Sequence, residues 1–168
     1  MNMHSPYPTP FDARELRDVL GRFATGVAVI TTCGNEGQPL GLTVNSFASV
    51  SLDPAEILWS IVSKAPSRPA FHNHGAFAVN IMPEEDKDQT LRFAKPLDDK
   101  FDGVNWKRGW RDVPVLGNAL ATLECDVKDM IPSGDHHIIV GSVRAIDSRD
   151  GDPLVFFRGQ FTSLGTTV

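Results

Sequence analysis

Gly41-Leu42-Thr43-Val44-Asn45-Ser46-Phe47-Ala48-Ser49-Val50-Ser51 is the stretch on which the fold turns. Leu40 to Val44 reads as one extended segment, and Phe47 to Leu52 resumes the extended pattern. Asn45 and Ser46 interrupt the two. The stretch holds a Thr, an Asn and three Ser, although its flanks read as buried strand. A buried polar group without a partner costs about 1–3 kcal/mol. Two sources of partners are open. A planar ligand with donors and acceptors along one edge would supply them. Side-chain capping of the backbone at a strand break would do so equally.

Working upstream, Gly34-Asn35-Glu36-Gly37 is turn chemistry, and Val27, Val29, Ile30, Thr31 and Thr32 are β-branched strand formers. Asp12 with Glu15 forms a capping box for a helix whose Leu16, Val19, Leu20 and Phe23 repeat at helical spacing, before Gly26 breaks the pattern. Residues 1–10 carry three prolines and read as a flexible arm, leaving 11–168 as a single domain. Downstream, Asp53-Pro54 is a turn. Ile57 to Val62 is a nearly continuous apolar run, the pattern of a strand buried on both sides. Ser67-Arg68-Pro69 opens a short helix, with Ser67 as a possible cap, and Gly75 ends it. Phe77 to Met82 is a strand. Residues 84–95 form a charged helix anchored by Leu91 and Phe93. Residues 96–114 read as a loop holding Trp106 and Trp110. Ala119 to Met130, His136 to Ile146 and Leu154 to Phe157 are further strands separated by turns. Strands that follow one another through turns predict a mainly β protein, a closed or partly closed antiparallel barrel with a few flanking α-helices.

The 168 residues carry 16 Lys+Arg and 21 Asp+Glu, a net charge of −5. A mildly acidic chain lacks the basic field that nucleic-acid binding needs. No apolar run reaches the ~20 residues of a bilayer span, and the N-terminus has neither the basic nor the apolar region of a secretory signal. Cys33 and Cys125 are too few for a disulfide framework, which predicts free thiols and a cytoplasmic setting. Dinucleotide, phosphate-loop, nucleophile-elbow and zinc-protease signatures are missing, which shifts weight towards chemistry carried by a bound cofactor. No metal site is predicted. His72 and His74 do not share a helix face, and His136 and His137 alternate across a strand. His137 reads as a surface or packing residue.

Three further groups could carry chemistry. Lys64, Ser67 and Arg68 precede a helix, where free N–H groups suit a phosphate; they could equally be a cap with solvated basic residues. Gly134-Asp135-His136 is a turn that could hold His136 at the mouth of a pocket, or simply a polar entry to a strand. Phe157 and Arg158 end a strand, as core or as the border of a flat ligand.

Taken together, several ordered stretches resemble the short-chain flavin reductase family, the reductase components of two-component flavin-dependent monooxygenases. They are Thr25 to Thr32, Gly41 to Pro54, Phe77 to Asn80, Phe93-Ala94, Lys100-Phe101, Gly134-Asp135-His136 with Gly141, and Pro153 to Gly159. The resemblance implies an FMN-binding split β-barrel with Greek-key connections that works as a homodimer. It implies that NADH or NADPH reduces FMN or FAD by hydride transfer and that the reduced flavin passes to a partner monooxygenase. It further implies that Thr43, Val44, Asn45 and Ser46 lie along the flavin ring, with Ser49, Val50 and Ser51 binding through backbone and hydroxyl groups. Lys64, Ser67 and Arg68 would hold the phosphate, and Lys100 and Phe101 would close over it. His136 would approach the nicotinamide as the catalytic residue, bordered by Phe157 and Arg158. Phe157 keeps the ring of a tyrosine common in the family without its hydroxyl, and Ala55 follows Pro54 where many relatives have a second proline. A flavin-binding split barrel without NAD(P)H turnover, or a pyridoxamine-phosphate-oxidase-like enzyme, would share the barrel. The Gly-Asp-His segment disfavours the first, and the lack of a second basic phosphate cluster disfavours the other.

Overall fold

The two ends of the main sheet are joined by only three residues, and this link dictates the shape of the molecule. In the computed structural model, which describes residues 10–165, twelve strands and three α-helices follow in chain order. The strands are β1 (Thr25–Gly26), β2 (Ala28–Cys33), β3 (Pro39–Val44), β4 (Ala48–Leu52), β5 (Ala55–Val62), β6 (Ala76–Ile81), β7 (Trp106–Arg108), β8 (Pro114–Leu116), β9 (Ala121–Ser133), β10 (His136–Ser148), β11 (Val155–Phe157) and β12 (Gln160–Thr162). The helices are α1 (Ala13–Leu20), α2 (Arg68–His74) and α3 (Lys87–Ala94). Seven strands form one sheet in the order β3-β2-β6-β9-β10-β5-β4, antiparallel throughout. A flat sheet of this width would separate its edges by about 29 Å. The Asn45-Ser46-Phe47 link can span at most about 15 Å. The sheet therefore curls until β3 and β4 approach each other, yet no hydrogen-bonded ladder closes the gap between them. β6, β9 and β10 are successive neighbours with β5 returning beside β10, which is a Greek-key arrangement. This is the mainly β, antiparallel, partly closed barrel expected from the sequence.

The barrel interior packs around Trp59, which meets Phe71 and Phe77 edge-to-face at ring-centroid distances of 4.9 and 5.7 Å. Burying each such side chain stabilises by roughly 1.5–3 kcal/mol. A second apolar cluster lies outside β2, where Phe93 of α3 stacks edge-on with Phe101, and Phe101 with Trp106. Gly41 permits this packing, since a Cβ there would lie 2.8 Å from the Phe93 ring. Buried Asn80 ties three strands together: its Nδ2 donates to the Val29 carbonyl at 2.9 Å, and its Oδ1 accepts from the Leu116 amide at 2.8 Å.

Asp12 caps α1 through the capping box with Glu15. Several local expectations are corrected. β5 is not buried on both sides; Ile57, Trp59 and Ile61 face the core while the alternate residues are partly open. Ser67 makes no side-chain cap to α2. The loop of 96–114 contains β7 and runs into the first residue of its partner β8, and β1 and β12 were not anticipated, because strands of two or three residues carry no readable period. Among the described residues nothing covers the apolar face of α1 or Phe23 just beyond it, which is 78% exposed. The arm predicted for 1–10 lies, from residues 1 to 9, outside the described residues.

Candidate active site

At the barrel's split, β4 is an end strand: it pairs with β5 on one side only, so the backbone N–H and C=O groups of its other edge have no strand partner among the described residues. A bulge falls between Ser49 and Ser51, leaving Val50 as the extra residue. Asn45, Ser49 and Val50 are exposed and Ser51 partly so. The polar groups of the decisive stretch therefore divide. The Thr43 hydroxyl donates to the Thr90 carbonyl at 2.6 Å. Ser46 Oγ accepts from the Ser60 amide at 2.9 Å and donates to its carbonyl at 3.2 Å, pinning the link onto β5. These two serve the fold. Val44 completes the β2–β3 ladder opposite Ala28. The side chains of Asn45, Ser49 and Ser51 have no hydrogen bond to the described residues, and they are the ones that remain for a ligand.

Next to this edge, β5 delivers the chain into the loop 63–68, and its register with β10 sets His136 opposite Val62 and His137 opposite Ile61. The β9–β10 turn is a two-residue Gly134-Asp135 loop whose first position has φ +59°, a geometry glycine adopts without strain. Turn and loop are bolted together. The Ser63 amide donates to the Asp135 carbonyl at 2.9 Å. Ser63 Oγ and His137 Nδ1 are 3.0 Å apart. Arg68 Nε donates to the Ser63 carbonyl at 3.0 Å, and this is the one hydrogen bond its guanidinium makes to the described residues. Its remaining four N–H donors form the fork that matches a phosphate or carboxylate. Lys64, four residues before it in the chain, is exposed, and Ser67 is partly buried. His136 Nδ1 meets Asp135 Oδ1 at 2.6 Å with the His side chain 43% exposed. That hydrogen bond, with the attraction of the imidazolium, holds the Asp135 carboxyl below its ordinary range.

Two expected site residues sit elsewhere in the packing. Lys100 Nζ donates to the carbonyls of Phe93 at 2.8 Å and Gly41 at 3.2 Å, and burial lowers its pKa. Phe101 is 7% exposed in the second apolar cluster. Two of the three Lys100 ammonium donors and the Phe101 ring are thus engaged within the fold, in contacts the sequence did not announce. Phe157 and Arg158 also stand apart. The Arg158 amide donates to the Gly21 carbonyl at 2.9 Å, and Arg158 lines a cleft with Arg17, Asp18 and Arg22 at the end of α1. No hydrogen bond or strand pairing joins them to β4, the loop 63–68 or the turn at His136 among the described residues.

Ser63 was not assigned a role from the sequence, and His137 was read there as a surface or packing residue. Their roles depend on the β5–β10 register, which no local pattern encodes. Among the described residues no group of His, Cys, Asp and Glu could hold a metal ion, and no helix is long and apolar enough to cross a membrane. Both cysteines are buried free thiols; burial, reinforced by Asp126 and Glu124, pushes Cys125 up to about 12, which keeps it protonated and inert.

A sequence profile described as "Flavin reductase like domain" matches residues 20–165. The reductase component of the flavin-dependent trigonelline monooxygenase of Acinetobacter baylyi is 42% identical over 88% of this chain and 48% of its own length. FMN reductase (NADH) SmoA of Agrobacterium fabrum is 41% identical, covering 95% of this chain and 91% of its own. The structure of the Streptomyces globisporus NADH:FAD oxidoreductase SgcE6 in complex with NAD and FAD fragments superposes with a TM-score of 0.88 at 32% identity, over 95% of this chain and 97% of that one. The chain spans about half the length of the Acinetobacter protein and of a similar Rhizobium meliloti protein.

Proposed function

The chain belongs to the flavin reductase-like domain family, and from that premise we propose that it is an NAD(P)H:flavin oxidoreductase that supplies reduced flavin to a partner monooxygenase. The observation that carries the reading is the juxtaposition of an unpaired strand edge with a cationic corner. β4 offers backbone donors and acceptors in a row, which suits the polar edge of a flat heteroaromatic ring. The free fork of Arg68, with Lys64 and Ser67, suits a phosphate. These residues fit a flavin nucleotide.

When bound, the flavin supplies a ring nitrogen that takes up hydride from nicotinamide, so the protein needs no nucleophile of its own. The work of the chain is to bind, orient and exclude. In this reading Asn45, Ser49, Ser51 and the β4 backbone hold the ring edge, donors fixed in place before reaction. Arg68, Lys64 and Ser67 hold the phosphate. His136, steadied by Asp135, approaches the nicotinamide and orients it rather than moving a proton; alignment at near-attack distance is where the rate enhancement lies. The names of the Agrobacterium and Streptomyces relatives support NADH as donor and leave both FMN and FAD in play. The names of monooxygenase reductase components among the relatives support an oxygenase as recipient. Leu16, Val19 and Leu20 of α1 with Phe23 beyond it, left uncovered by the described residues, support a homodimer. A reducing cytoplasm suits two buried thiols.

The test is oxidation of NADH and NADPH, followed at 340 nm, with FMN or FAD added to the purified protein. Flavin-dependent oxidation is the expected result. Flavin binding with no oxidation of either nicotinamide would instead make the protein a flavin carrier and remove the role given to His136.

A further inference from the structure

We propose that Ser63 is a positioning residue that fastens the phosphate-facing loop 63–68 to the hairpin turn carrying His136, with His137 as its anchor. The inference rests on the flavin-reductase reading of this corner.

Ser63 uses all three of its polar groups across the junction. Its amide donates to the Asp135 carbonyl at 2.9 Å, its carbonyl accepts from Arg68 Nε at 3.0 Å, and its Oγ lies 3.0 Å from His137 Nδ1. The two backbone bonds are open to any residue. Only the third needs a serine, and it determines the others. Ser63 stands just beyond the last paired residue of β5, where the ladder no longer holds the chain. The Oγ–Nδ1 bond fixes the Ser63 backbone against β10, and so fixes the direction of its carbonyl. A guanidinium is planar, so holding Nε–H on one acceptor restricts the orientations open to the whole fork. The Arg68 fork is thus aimed by a chain that begins at His137.

The same residue reaches the other half of the site, because its amide holds the Asp135 peptide, next to His136. His136 and His137 project to opposite sides of β10. One histidine is therefore turned to the ligand side, while its neighbour anchors the loop. This assigns His137 a task in place of the surface or packing role read from the sequence.

The test is a double-mutant cycle on FMN affinity, measured by titration of flavin fluorescence, with Ser63→Ala, His137→Ala and the double variant. Each single substitution is expected to weaken FMN binding about fivefold, the effect of one lost hydrogen bond. The double variant is expected to be no weaker than either single one, because both remove the same bond. Ser63→Thr keeps the hydroxyl and is expected to stay within about twofold of wild type. In Ser63→Ala the KM for NADH is expected to rise while kcat holds, because the His136 turn loosens with the loop. Should the alanine variant fail to fold, Ser63→Cys removes the strong donor at similar volume and gives the same reading. Wild-type FMN affinity in Ser63→Ala, or single effects that multiply in the double variant, would overturn the inference. A wild-type protein that neither binds FMN nor oxidises NADH would overturn the functional reading itself. A wild type that does both, matched by Ser63→Ala, sinks the positioning role alone.

Discussion

Two corners of the molecule each hold a basic side chain that the family resemblance assigns to a flavin phosphate, and they differ in how their donors are used. At the 93–106 corner, Lys100 gives its ammonium to two backbone carbonyls and lies against an aromatic stack of Phe93, Phe101 and Trp106. At the 63–68 corner, Arg68 gives one N–H to Ser63 and keeps the rest. The first corner is largely spent on itself, with two of its three ammonium donors given to carbonyls of the fold. The second is unfinished, since the described residues take up only one of its five guanidinium donors. Residue type alone does not separate the two. The distinction lies in whether the fold consumes the hydrogen-bonding capacity or leaves it over.

The largest effect that would sharpen this contrast comes from the closed corner. Phe93→Ala removes a fully buried ring and is expected to destabilise the fold by about 3–5 kcal/mol in urea or thermal unfolding. FMN affinity of the protein that remains folded should stay near that of wild type, and a parallel loss of affinity would erase the division between the corners. Arg68→Ala should do the reverse. Removing a charged donor set is expected to weaken FMN binding by about 1.5–3 kcal/mol, roughly 10- to 150-fold, with unfolding free energy nearly unchanged.

Lys100→Met should lower stability by about 1–2 kcal/mol, a figure at the modest end because the side chain is only partly buried. The pH dependence has a definite sign. Burial lowers the Lys100 pKa from the ordinary 10.5, so in the window just below 10.5 the unfolded chain binds more protons than the folded one. The stability of wild type relative to Lys100→Met should therefore rise as pH climbs through that window. A flat difference across it would mean that Lys100 is not held as the structure has it. The smallest effect concerns Asp135. Its carboxyl is held below 3.8 by the hydrogen bond to His136, so its contribution is present above 3.8 and fades as pH falls through the lowered value. An NMR titration should find the Asp135 pKa moving up towards 3.8 in His136→Ala.

Much of the architecture was legible because it is local. The capping box at Asp12, the turn at Gly34–Gly37, the strand break at Asn45-Ser46 and the end of α2 at Gly75 all announce themselves within a few residues. The short strands β1, β7, β8 and β12 did not, because they are held by distant partners rather than by their own period. The same limit divides the candidate site. Arg68, Asn45, Ser49 and His136 could be picked out by residue type and by resemblance. Which hydroxyls of the stretch 43–51 serve the fold was hidden, because the partners of Thr43 and Ser46 lie on α3 and β5. The part played by Ser63 and His137 was hidden for the same reason, since only the β5–β10 register brings them together.

One comparison bears most directly on the division between a closed corner and an open one: FMN titration of Arg68→Ala and Lys100→Met side by side, each checked for folding. The expected result is at least about tenfold weaker binding for Arg68→Ala and a change within about twofold for Lys100→Met. Unchanged affinity in Arg68→Ala with a large loss in Lys100→Met would contradict the site built on loop 63–68 and return the phosphate to the corner at Lys100.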